Sequence, residues 1–270
     1  MVKGVVVCLD GGSGDEPRLA AASAVAERFG AHVIGLFMNL LPPVPLTVEP
    51  GIDLTQQARD AGDVTAAMLG RRLAELPGTA ELRRYDIFSE TVPEVAAQEA
   101  RTADAFVALR PGGGPMEQER ILEGVLFGSG RHLVVVPELP PAGRGFERIV
   151  VAWDRGREAA RAVGEAMPYL YEARQVNVVV VDDPIWINGP VRPGADMVRH
   201  LVHHGIDAVA SPVARGPGGV GKSLIEEAER LSADLIVAGG YSHSRWREKL
   251  FGGVTHDLIH GSPIPLLISH

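Results

Sequence analysis

The chain has 270 residues, 46% hydrophobic and 22% charged, an ordinary globular composition with enough apolar residues for one or two full cores. A net charge of -8 and a pI of about 5.6 argue against a nucleic-acid backbone or an anionic membrane surface as partner. The single cysteine, Cys8, excludes an internal disulfide, and no stretch approaches the ~20 apolar residues of a spanning helix.

The opening, MVKGVVVCLDGG, holds an apolar run too short for a secretory signal and broken by Asp10. With the lone cysteine, this leads us to expect a reducing, cytoplasmic location. GVVVCLDGG (4–12) reads as a buried strand that ends in Asp and Gly. An alanine-rich helix, RLAAASAVAERFGA, and a second strand, HVIGLFM, follow. LLPPVPLTVEPGI (40–52) reads as a loop, and QQARDAGDVTAAMLGRRLAEL after it as a long amphipathic helix. ADAFVAL (103–109) is the next strand. Residues 116–123 read as polar helix, and a last strand lies near 132–136.

PELPPAGRGFE is a Pro/Gly-rich linker, and beyond it the pattern begins again. RIVVAWDRG (148–156) repeats the strand-Asp-Gly opening, REAARAVGEAMPYLYEA repeats the helix, and VNVVVVDD the second strand. ADLIVAG (233–239) answers ADAFVAL. The offset between copies is 144 at Asp10/Asp154, 130 at Asp104/Asp234 and 124 at Phe127/Phe251, so the first copy carries extra residues in its middle. Two domains are expected, 1–143 and 144–270. Strands of the second copy are expected at 148–153, 176–181, 206–213, 234–238 and 265–268, with Pro212 inside the third. Unbroken Val/Ile/Leu runs alternating with helices predict parallel sheets buried on both faces.

On these residues the chain resembles the universal stress protein family in its tandem form. The resemblance rests on the two strand-Asp-Gly openings, on ADLIVAGG and on GGYSHSRWREKLFGGVTHDLI. It implies an α/β fold of two doubly wound domains, each an open five-stranded parallel sheet in the order 3-2-1-4-5 flanked by helices. It also implies that the domains pair through their last strands, near 132–136 and 265–268. The family's nucleotide signature is Gly, two residues, Gly, nine residues, then Gly with Ser or Thr. Gly239, Ser242, Gly252 and Gly253 meet the spacing. Ser242 replaces a glycine and Gly253 a hydroxyl residue.

ATP or AMP, with Mg only in its company, is the cofactor the resemblance implies for the second domain. The expected contacts are Asp154, Val181, Gly239, Ser242, Arg245, Gly252 and Gly253. Physical chemistry agrees in part. A doubly wound sheet binds ligands at the carboxyl ends of its strands, glycines let N–H groups approach phosphate, and Asp154 can accept hydrogen bonds from adenine or ribose. The bland alternatives are that Asp154 caps a helix and the glycines permit tight packing. In the first copy the glycines at 112–114 and Gly128-Ser129 miss the spacing, so that domain is expected to be degenerate.

Three motifs invite other chemistry. GPGGVGKS (216–223) spells a phosphate-binding P-loop, yet only two strands remain after Lys222 and neither ends in the Asp that such a domain needs for magnesium. His200/His204 and His256/His260 have metal-ligand spacing with no completing ligand nearby in sequence, and read as solvated helix residues. Cys8 reads as a small buried apolar residue. No Gly-x-Ser-x-Gly elbow or catalytic pair is evident, and no catalytic or metal residue is assigned. The expectation is a non-enzymatic stress-response regulator with nucleotide in its second domain. A structural interaction protein without nucleotide is the alternative, and a small-molecule enzyme a third. A homodimer is a further partner compatible with the sequence, while nucleic acid and membrane are not expected.

Overall fold

The structure, a computed structural model, describes residues 1–43, 53–112, 116–139, 145–182, 193–240 and 253–270. The chain forms two compact units, one of Met1–Leu109 and Gly113–Arg131 and the other of Arg110–Gly112 and His132–His270.

The first unit runs β1 (Gly4–Leu9), α1 (Asp15–Phe29), β2 (His32–Leu40), α2 (Leu54–Ala74), β3 (Ala80–Ile87), α3 (Val92–Arg101), β4 (Ala105–Leu109) and α4 (Met116–Gly128). Its strands are parallel in the order β3-β2-β1-β4. Val5, Val6 and Val7 in β1 are fully buried, as are Phe106 and Val107 in β4, which fits strands covered by helices on both faces. The edge strand β3, AELRRYDI, lacks any apolar run; a third strand was expected in this copy, but its residues were not placed from the sequence. Its charges are paired: Arg83 with Glu81 and Glu99, Arg84 with Asp63 and Asp86. Such a charged edge discourages pairing with stray strands.

The second unit contains β5 (His132–Val136), β6 (Arg148–Ala152), α5 (Arg157–Glu172), β7 (Gln175–Asp182), α6 (Ala195–His203), β8 (Ala208–Ala214), α7 (Gly219–Arg230), β9 (Leu235–Gly239), α8 (Val254–Gly261) and β10 (Leu266–Ser269). From β8 inward the order is β8-β7-β6-β9-β10, the expected 3-2-1-4-5. Beyond β10 lies β5, antiparallel to it, with Leu266 opposite Val135 and Ile268 opposite Leu133. The last strands of the two copies thus pair, and β5 joins the second unit. Buried His132 holds β5 to α5 through Tyr169 Oη (3.1 Å) and Glu165 (3.3 Å). Pro212 proves compatible with β8 because, among the described residues, that strand has a neighbour, β7, along one edge only.

The repeat is visible in one further detail. Asp104 Oδ2 accepts from the N–H groups of Lys3 and Gly4 where β1 begins (2.6 and 3.0 Å). Asp234 accepts from Glu147 and Arg148 where β6 begins (both 2.8 Å). In each copy the aspartate before the fourth strand pins the entry of the first.

Candidate functional site

In the second unit, β6 and β9 are neighbours, with Val151 opposite Val237. The chain leaves β6 through α5 toward β7, and it reaches β9 through α7 from β8 on the other side. The connections diverge between these two strands, and their carboxyl ends form the crevice in which such sheets bind ligands.

Asp154 stands exposed at this end, two residues beyond β6. Its Oδ1 accepts the Gly156 N–H at 2.7 Å, so the carboxylate closes the turn into α5. A carboxylate retains further acceptor capacity after one such bond. Gly239 closes β9. A Cβ there would lie 2.5 Å from Ala159 N and 2.6 Å from Glu158 C, so close packing on the first turn of α5 requires glycine. Half-buried Val181 lies at the carboxyl end of β7, opposite Val213. Gly253 precedes α8 in extended backbone (φ -179°, ψ 161°), a conformation open to any residue, and without a side-chain cap. Thr255 in the first turn of α8 donates toward the Gly239 carbonyl at 3.4 Å. Asp154, Val181, Gly239 and the start of α8 thus occupy one end of the sheet. Ser242, Arg245 and Gly252 lie outside the described residues.

Two neighbours of Asp154 were missed from the sequence. Trp153 Nε1 is enclosed and has no hydrogen-bond partner among the described residues. Orphaned donors of this kind are rare and cost about 1–3 kcal/mol. Arg155 has φ 65°, a left-handed conformation that costs a side-chain-bearing residue about 1–2 kcal/mol. The equivalent residue of the first copy, at the offset of 144, is Gly11 with φ 84°. That comparison was the available signal: an arginine stands where the repeat has glycine.

The same place in the first unit is filled from within. Asp10 Oδ1 accepts the Gly12 N–H (2.8 Å), repeating the turn. Here, however, Arg18 bridges Asp10 (2.8 Å) and Asp15 (2.7 Å). Asp15 also accepts from the N–H groups of Asp10 (3.1 Å) and Gly11 (2.9 Å). Arg72 reaches Asp15 at 3.2 Å and Glu16 at 2.9 Å. Asp15 is 0% and Arg18 2% exposed. Burial pushes the Asp15 carboxyl up, opposed by those N–H groups and by Arg18. Gly14 lies against Leu109 at the end of β4, where a Cβ would meet Leu109 Cδ2 at 2.7 Å. At the offset of 144, the counterparts of Asp15 and Arg18 are Ala159 and Ala162.

The remaining motifs take structural roles. Ser223 Oγ accepts from Gly216 N and donates to Gly219 O (both 2.9 Å), which ties the loop to the first turn of α7. Lys222 is mostly exposed and lies 3.8 Å from Glu226. The motif follows edge strand β8, two strands from the crevice. The imidazole pairs of His200/His204 and His256/His260 lie 4.7 and 4.3 Å apart, with no cluster of three metal-ligating side chains among the described residues. Cys8 is buried, and desolvation pushes its thiol up to about 12. No helix among the described residues is long and apolar enough to cross a membrane.

A doubly wound α/β domain with its crevice at the topological switch point is the class this geometry defines. Residues 145–270 match the model of the universal stress protein family. Across 98% of the chain, the fold is that of a universal stress protein from Archaeoglobus fulgidus DSM 4304 (TM-score 0.73, 14% identity, 95% of that chain). A universal stress protein from Pseudomonas aeruginosa UCBPP-PA14 overlaps 99% of the chain and 93% of its own length (TM-score 0.60, 14% identity). In sequence, 51 residues are 43% identical to the stress response protein NhaX of Bacillus subtilis, which is 19% of this chain and 31% of that relative's length.

Proposed function

We propose that the chain is a non-enzymatic, cytoplasmic stress-response protein of two domains, 1–143 and 144–270, that binds one adenine nucleotide in the second. The stress-response element is supported by the family of residues 145–270 and by the partial match to NhaX. One observation carries the placement of the nucleotide. Equivalent crevices differ in content: Arg18 and Asp15 fill the first, whereas the second has Ala162 and Ala159. Two arginines against Asp10, Asp15 and Glu16 also leave the first site without net positive charge to attract phosphate.

In the second unit, Asp154 is the acceptor for base or ribose, with Val181 beside it. Gly239, Ser242, Arg245, Gly252 and Gly253 are assigned to the phosphates from their spacing in the sequence. The purely structural alternative draws on two contacts. Asp154 already closes the turn at Gly156, and Gly239 is already required by α5, so both residues have reasons to be present without ligand.

Calorimetric titration with ATP and AMP decides between them. The proposal expects one site per chain, an Asp154→Ala variant weakened about tenfold, and a Lys222→Ala variant unchanged. Absence of binding to the native chain would favour the structural alternative. Loss of binding in Lys222→Ala with Asp154→Ala intact would revive the P-loop reading of 216–223.

A further inference from the structure

The turn Trp153-Asp154-Arg155 carries two local costs that the fold does not explain. The Trp153 main-chain N–H bonds the Val179 carbonyl at 2.9 Å, so its backbone continues the sheet register to the mouth of the crevice. Its indole N–H, in contrast, is removed from water with no acceptor among the described residues. A buried donor left in that state marks either a defect or a place reserved for an acceptor from outside. One residue beyond Asp154, Arg155 holds a left-handed backbone that the first copy gives to Gly11. Its guanidinium lies 3.7 Å from Asp196, with side chains 60% and 56% exposed. An ion pair so hydrated contributes too little to offset the strain. Backbone strain retained in a non-glycine residue concentrates where the side chain is needed for binding. Both features flank Asp154, the carboxylate expected there from the sequence.

We propose that Trp153 and Arg155 are ligand-binding residues of the second unit. Trp153 Nε1–H donates to a ring nitrogen of a purine base, and the Arg155 guanidinium pairs with the ligand's phosphate. This rests on the nucleotide reading above and extends it. The base is chosen by the chemistry of the indole, whose single donor suits an uncharged ring acceptor beside a flat apolar surface. The phosphate is chosen by the forked, permanently charged guanidinium. A residue kept for binding at the expense of the empty fold has a recognisable signature: its replacement weakens the ligand without weakening the apo protein.

ATP is the probe, in three measurements on the full chain. In the native protein carrying 15N-tryptophan, the Trp153 indole resonance, assigned by its loss in Trp153→Phe, shifts as ATP is added. Calorimetry then shows Trp153→Phe and Arg155→Gly each binding ATP about tenfold more weakly. Without ATP, the Arg155→Gly midpoint of thermal unfolding equals or exceeds that of the native chain, since glycine accepts the left-handed backbone freely. If ATP binds while the indole is unmoved and both variants stay within twofold of native, this inference falls and the nucleotide reading stands. Weakening in one variant alone removes the other residue from the site. If the native chain binds no ATP, the nucleotide reading and this inference fall together.

Discussion

Replacing Arg18 by Met leaves Asp15, fully buried, without its closest cation. Breaking one side of a buried ion pair costs about 3–5 kcal/mol, because the surviving charge keeps its desolvation penalty. Here Asp15 retains the N–H groups of Asp10 and Gly11 and a longer contact to Arg72, so the lower end, about 3 kcal/mol, is expected. With a urea slope of ~2 kcal/mol/M for a unit of this size, the unfolding midpoint should fall by about 1.5 M. Cys8 supplies the assay. It is the one cysteine of the chain, sits in β1 of the first unit and is buried, so pulsed thiol labelling along a urea series reports the unfolding of that unit alone. Replacing both charges, as Asp15→Leu with Arg18→Met, should recover more than half of the loss, since an apolar pair leaves no buried charge. A midpoint moved by less than about 0.3 M in Arg18→Met would refute the view that this pair fills the crevice as a dehydrated unit.

Cys8 itself should not react with an aromatic disulfide reagent at pH 8. Burial raises its pKa to about 12, which keeps the nucleophilic thiolate scarce until pH nears that value, and one thiol per chain should appear only on denaturation. Rapid reaction of the native protein would contradict its burial. Gly239→Ala should destabilise the second unit by about 1–3 kcal/mol in the absence of any nucleotide, because the new methyl meets the backbone of Glu158 and Ala159. An unchanged melting midpoint would show that α5 can move aside and that the glycine serves another purpose.

Much of the fold was legible because parallel strands covered on both faces leave unbroken apolar runs, as in GVVVCL and RIVVA. The repeat then divided the strands between two copies, and the order 3-2-1-4-5 came from the family resemblance alone. Edge strand β3 escaped notice for the converse reason: its outer position lets Glu81, Arg83, Arg84 and Asp86 replace the apolar pattern with ion pairs. Of the residues named from the sequence, Asp154, Val181 and Gly239 come to one end of the sheet, Asp154 through turn chemistry and Gly239 through close packing on α5. Gly253 matched the spacing but departs from its residue type, and its extended backbone makes no demand for glycine. The filling of the first crevice was invisible, because nothing in the sequence pairs Asp15 with Arg18 until α1 is set against β1 and β4. Arg155 was legible in principle, by aligning the two openings residue by residue.

Hydrogen exchange read by mass spectrometry, with and without saturating ATP, tests the central claim most directly, since it locates the ligand in the chain. The account predicts slower exchange in peptides covering 152–158 and 238–255, with unchanged exchange in 8–20 of the first unit. Protection in 8–20, or confined to the 216–223 loop, would contradict it.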